Sequence, residues 1–178
     1  DNPDIAISIE TEDQSADKHP DQADVSIRLF RKAPNNLEFA ELFRLALVPA
    51  CSPGLIDQFP GIENGSLADV PLIIHSKRPN AWNDWARHAG VNIGDQLGAI
   101  RLETMISVAR AAQQGLGIAL VPLPLSESWF RSGDLVRLSK HEMETPDRYL
   151  VVIREGDSQR TEVQQFHKWI LQEFGNVR

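Results

Sequence analysis

Leu102-Glu103-Thr104 stands immediately before an amphipathic stretch, Met105 onward. Free backbone N–H groups at the start of such a helix, reinforced by its dipole, attract anions. Glu103, Thr104 and Met105 are therefore candidate contacts for a small ligand. The same placement suits Thr104 as a plain helix cap, with Glu103 meeting the dipole. Arg28, beside Leu29 at the end of an apolar-alternating run, can grip a carboxylate through two parallel hydrogen bonds or join a surface ion pair. His75, Ser76 and Trp82 follow the apolar run Leu72–Ile74, and Pro122 follows Ile118–Val121. All four stand just past segments that read as buried strands. Trp82 and Trp85 suit a packed core as well as an aromatic wall for a ligand.

Covalent and metal chemistry find little support. No serine sits in G-x-S-x-G, and Cys51 is followed by Ser52-Pro53 in what reads as a structural turn. The histidines at 19, 75, 88, 141 and 167 lack metal-ligand spacing, and one cysteine cannot assist them. Gly115-Leu116-Gly117 falls after a helix and before a strand, the reverse of a dinucleotide fingerprint. Neither catalytic residues, nor a metal, nor a cofactor is expected.

The elements that must position these residues are legible from periodicity. Met105, Val108, Ala109, Ala112 and Leu116 form an apolar stripe at helical spacing, opposed by Glu103, Ser107, Arg110, Gln113 and Gln114. Gly115 stands where a helix turns left-handed at its end. Ile118–Val121 is apolar on both faces, as a helix-covered parallel strand requires, and Pro122 stops it. Asp4–Thr11 and Ala23–Leu29 alternate as strands, with Ile5, Ile7 and Ile9 on one face of the first and Val25, Ile27 and Leu29 on one face of the second. Between them, 12–22 is a polar connection, and Phe30–Asn36 is turn-rich. Leu45, Leu47 and Val48 mark a buried strand, followed by a short helix with Ser52 as cap and Pro53 in its first turn. Further strands are expected at Leu72–Ile74, Ile100–Leu102, Leu135–Leu138 and Tyr149–Ile153. Helices are expected from Asn80 to Gly90 and from Pro124 to Gly133. A last helix, Ser158–Phe174, should bury Val163, Phe166, Trp169, Ile170 and Phe174. Strands alternating with helices give an α/β sheet covered on both sides.

Composition limits the partners. The chain has 178 residues and 42% hydrophobic content, ordinary for a globular protein of one domain or two small lobes. Its net charge of −7, without a basic run beyond Arg28/Arg31/Lys32 and Lys77/Arg78, is unfavourable for holding DNA by itself. A single cysteine excludes an internal disulfide and fits a reducing compartment. No apolar run approaches the roughly 20 residues that cross a bilayer.

Several segments, in order, resemble one family. Asn2–Glu10 (NPDIAISIE) is similar to its "HPDI-x-L" strand, and Ala23–Leu29 (ADVSIRL) to its "D-x-AIR" strand. Leu45–Ile56 (LALVPACSPGLI) is similar to "L-x-x-VASPxYL", and Ser66–His75 (SLADVPLIIH) to "DLxxHPLI". A helix, then Ala111–Pro122 (AAQQGLGIALVP), a second helix and the strand GDLVRL complete the pattern. Together these resemble the effector-binding domain of LysR-type transcriptional regulators, over essentially the whole chain. The paired tryptophans and the strand DVSIR faintly resemble the branch that regulates glycine cleavage and β-lactamase.

The resemblance implies two Rossmann-like lobes joined by two crossover strands, as in type 2 periplasmic binding proteins, with a ligand between the lobes. Residues 1–48 would open lobe I, 49–148 form lobe II, and 149–178 return to lobe I. Crossings are expected near Leu45–Ala50 and Asp147–Ile153. The family's winged helix-turn-helix is absent from this chain, as are the first strand and helix of lobe I. Because loss of that strand would leave several buried groups unpaired, at about 1–3 kcal/mol each, the chain is expected to be a fragment of a longer protein with lobe I its weaker half. The implied function is a small-molecule sensor in the cytoplasm. It is expected to form a homodimer, with a tetramer open to the full-length protein, and to reach DNA only through the absent domain. The ligand leans toward a small carboxylate or amino acid. A solute-binding protein for transport is the alternative, and an enzyme a third reading that lacks a cluster of titratable groups.

Overall fold

A computed structural model describes residues 5–11, 22–32, 38–59, 61–62, 67, 69–94, 99–154 and 156–175. The chain divides into two units, Asp1–Arg44 with Pro146–Arg178, and Leu45–Thr145. Two long strands pass from one unit to the other, β2 (Glu38–Cys51) and β7 (Met143–Ile153).

In the first unit, β1 (Val25–Phe30) pairs antiparallel with β7, with Ile27 opposite Val151. Helix α5 (Thr161–Phe174) places Ile170 against Leu42, Phe43 and Val151. Phe43 anchors that cluster, with its ring 5.0 Å from Tyr149 and 6.2 Å from Phe174. On strand β7 the alternate residues Leu150 and Val152 cluster instead with Phe30. A period of two thus serves two cores from one strand. An ion-pair network joins Asp24, Arg154, Asp157, Arg160 and Glu162 around the start of α5.

In the second unit, β5 (Ile118–Leu123) is antiparallel to β2 and parallel to β3 (Leu72–His75), which is parallel to β4 (Ile100–Leu102). The short β6 (Val136–Arg137) adds to β2. Helices α1 (Pro53–Gln58) and α2 (Ala81–Ala89) carry Leu55, Trp82 and Trp85 into one core with Leu72, Ile74, Ile118 and Leu120. Helix α3 (Met105–Gln113) carries Val108, Ala109 and Ala112 into the other, with Ile73, Ala119 and Val121. Every residue of β5 is buried because both faces are covered. Small side chains at Ala50, Ala109, Ala112 and Ala119 let α3 lie close to the sheet. The short α4 (Glu127–Ser132) ends on Gly133, as α2 ends on Gly90, each in the left-handed conformation.

Five expectations are corrected. Residues 5–11 form no strand among the described residues, and Ile7 and Ile9 are 61% and 84% exposed. Alternation makes a strand only where a neighbour takes its N–H and C=O groups. Pro122 does not stop β5: the ladder with β2 runs on to the pair Ala46–Leu123. A strand's N–H groups point alternately to either side, so one proline forfeits a single bond and keeps an extended φ. Leu116 leaves the stripe of α3 and is half exposed, because the helix ends at Gln113 and Gly115 turns the chain away. Trp169 is likewise half exposed, packed at a tilt against Phe166 rather than sunk in the core. Finally, Ser52 and Asn80 occupy cap positions without accepting a side-chain cap bond. All but the last residue of the polar connection and most of the turn-rich segment lie outside the described residues.

Candidate functional site

In the second unit, β3 and β4 run parallel and finish side by side at His75 and Leu102. Past those carboxyl ends the chain turns twice. After β3, Arg78 N–H closes a tight turn on the His75 carbonyl (2.8 Å), and Ser76 N–H reaches across to the Leu102 carbonyl (2.7 Å). After β4, Thr104 caps α3: its Oγ1 accepts from Ser107 N–H at 3.1 Å and donates to Ser107 Oγ at 2.8 Å. The two turns place the loop after β3 beside the N-terminus of α3, at the end of a parallel sheet where α/β proteins hold ligands.

A hollow opens here, lined by His75 and Arg78 from the turn, Ala81 and Trp82 from α2, Met105 and Val108 from α3, and Leu47, Ile73 and Leu120 from the sheet. As it stands it encloses space for about one water molecule. Its wall is apolar apart from one imidazole and one guanidinium. Lys77 N–H donates to His75 Nδ1 at 3.1 Å, which leaves the ring proton on Nε2. Burial first, then the charges of Arg78 and Lys77, hold the His75 imidazole below its ordinary value of 6.5, so the ring is neutral at pH 7.

The expected site residues are placed as follows. His75, Trp82 and Met105 meet around the hollow. Ser76, Glu103 and Thr104 are exposed on the turns beside it. Pro122 is buried in β5 and does not line it. Trp82 is 1% exposed and donates its Nε1–H to the Ile73 carbonyl at 3.0 Å, so it forms the floor of the hollow and part of the core at once. Arg28 and Leu29 belong to β1 in the other unit and are half-buried there. Sequence reasoning missed Arg78. The signal for it was the tight run Ser76-Lys77-Arg78-Pro79 directly after a buried strand, a turn that folds its third residue back toward the strand end.

No group of three or more metal-ligating side chains occurs among the described residues. Cys51 is fully buried, and burial pushes its thiol up to about 11. Thiolate is the reactive form, so thiol reagent at pH 8 should modify the native chain about 100-fold more slowly than the chain in denaturant. Comparable rates in the two conditions would sink this reading of Cys51 as inert.

Comparison with known proteins bears on this geometry. The family model described as "LysR substrate binding domain" matches residues 1–175. The glycine cleavage system transcriptional activator of Escherichia coli K12 is 26% identical over 170 residues, covering 95% of this chain and 55% of that protein. The transcriptional activator AmpR of Rhodobacter capsulatus is 26% identical over 136 residues, covering 76% of this chain and 46% of that protein. The chain therefore spans about half the length of the curated relatives it matches. Among solved structures, the effector domain of AmpR from Pseudomonas aeruginosa superposes with a TM-score of 0.67 at 24% identity, covering 84% of this chain and 71% of that one. The full-length virulence activator AphB of Vibrio cholerae superposes with a TM-score of 0.63 at 17% identity, covering 97% of this chain and 59% of that one. At these identities the superpositions speak to fold: a periplasmic-binding-protein-like α/β architecture.

Proposed function

Because the chain belongs to the LysR substrate binding domain family, we propose that it is the effector-sensing part of a transcriptional regulator. The observation that carries this reading is the hollow at the carboxyl ends of β3 and β4, facing the N-terminus of α3. A small molecule that enters it wedges between α2, α3 and the strand ends. It thereby biases whatever the domain is attached to, by no more than its differential affinity for the two forms. The described units, Asp1–Arg44 with Pro146–Arg178 and Leu45–Thr145, are read as the family's two lobes. The effector is a small carboxylate or amino acid, contacted in the second unit by His75, Ser76, Thr104 and Met105.

The active form is a homodimer in the cytoplasm, with DNA contacted by a separate domain of the full-length protein. A sensing rather than a catalytic role is supported by the relatives, which are transcriptional activators. No helix among the described residues is long and apolar enough to cross a membrane. The relatives' names, all transcriptional activators, disfavour the transport reading.

The test is a thermal-shift screen of this chain against amino acids and small carboxylates. A ligand at about 100 times its Kd adds about 2.7 kcal/mol, which for this size raises Tm by on the order of 5 °C or more. That shift should vanish in Met105→Trp, which fills the hollow. A shift that survives Met105→Trp, or no shift from any compound, overturns the reading.

A further inference from the structure

From the turn after β3, we infer that the hollow couples anion binding to proton uptake: His75 takes a second proton when a small anion enters, so acidification and ligand reinforce one another. This rests on reading the hollow as the effector site and adds how that site is regulated. His75 is the last residue of β3, and its ring forms part of the wall. Its Nδ1 accepts the Lys77 N–H. A protonated Nδ1 cannot accept, so protonation there breaks the Lys77 N–H bond, while Arg78 N–H still closes the turn on the His75 carbonyl.

Among the described residues no counter-charge meets the ring, and a hydrogen bond with the backbone of His75 itself is what favours its charged form. Lys77 and Arg78 come from its own turn, and both oppose a second positive charge. From α2 the hollow receives Ala81 and Trp82, while Asp84 and Arg87 pair with each other on the exposed side. From α3 come Met105 and Val108, with the positive end of the helix dipole and the Thr104 and Ser107 hydroxyls above them. Strands β2 and β5 contribute Leu47 and Leu120. Arg101, Glu103 and Arg110 are exposed and do not line the hollow. Among the described residues, no carboxylate lines it.

An anion supplies what is missing. One carboxylate oxygen can accept both the Lys77 N–H, once the turn releases it, and the new Nδ1–H, while Arg78 meets the remaining charge. The proton comes from solvent and stays on Nδ1. Any ligand that binds the protonated form better raises that form's population, and the reverse holds equally. The sign is fixed: anion affinity rises as pH falls through the free ring's range, by at most about tenfold per pH unit for one proton.

The experiment is an NMR titration of the histidine ring signals from pH 5 to 8, without anion and with 100 mM acetate at matched ionic strength. His75 is assigned through His75→Gln, and His88 and His141, both exposed, serve as references. The expected result is an upward shift of the His75 midpoint in acetate while the references stay. Acetate affinity should rise three- to tenfold from pH 7 to pH 6 in the natural chain and stay flat in His75→Gln. If acetate perturbs the Met105 methyl and Trp82 indole signals but the His75 midpoint does not move, proton coupling is wrong and the effector site stands. If those signals do not respond to acetate at all, both readings fall together.

Discussion

Gly117→Ala should lower the stability of the second unit by about 3 kcal/mol, and Tm by roughly 10 °C. A Cβ at this position would lie 2.3 Å from the Pro71 carbonyl oxygen and 3.0 Å from its carbon, backbone atoms that cannot rotate aside. The same carbonyl accepts the Ile118 N–H at 2.9 Å and so sets the start of β5 beside β3. Relieving the clash therefore pulls at the register that pairs Leu72 with Ile118. The glycine's φ of +156° adds backbone strain for any larger residue. Gly54→Ala is the control: nothing lies within 4 Å of its Cβ, and the site is helical, so stability should hold or rise slightly. Urea unfolding of both variants followed by circular dichroism decides it. Equal midpoints for Gly117→Ala and the natural chain would show that the close approach to Pro71 does not exist.

A loss of about 3–5 kcal/mol is expected for Trp85→Ala, a large fraction of the roughly 5–15 kcal/mol that holds a domain folded. Trp85 is 1% exposed and meets Trp82 edge-on, with ring centroids 5.8 Å apart at 84°. Its Nε1–H donates to the His141 carbonyl at 3.0 Å, tying α2 to the segment just ahead of β7. Truncation removes the largest kind of buried side chain, breaks an edge-to-face pair and strands a carbonyl. Trp85→Phe keeps most of the packing and loses the hydrogen bond, so it should cost about 1–2 kcal/mol. A cost below about 1 kcal/mol for Trp85→Ala would contradict its place in the core. Because Trp85 does not line the hollow, ligand-induced stabilisation should persist in Trp85→Phe.

The local elements were legible where a pattern has one physical cause. Gly90, Gly115 and Gly133 stop helices because a side-chain-free residue enters the left-handed region at least cost, whatever surrounds it. The stripe Val108, Ala109 and Ala112 is buried as expected because helical geometry alone puts these residues on one side. Ile118–Val121 reads as buried on both faces, and two separate cores take its alternate residues. With the family resemblance, these local patterns were enough to identify the α/β architecture.

What depends on a distant partner was not legible. The isoleucines of 5–11 alternate as those of a strand do, yet a strand is a relation between two segments, and none is paired with them among the described residues. Strand β2 runs unbroken through Glu38–Cys51 between two neighbours in the sheet, β7 and β5, at sequence distances that no local window contains. The hollow is the same kind of object. His75, Thr104 and Met105 could be nominated from strand ends and a helix start, while Leu47, Leu120 and Arg78 join them only when β2, β5 and the turn after β3 converge. Sequence by itself determined most of which segments are helix and which are buried strand, because periodicity and turn chemistry act over a few residues, while the family was carried by the resemblance of its ordered motifs. The tertiary structure decided the walls around His75 and the direction in which they push its pKa, downward, because charge and burial depend on which residues meet in space.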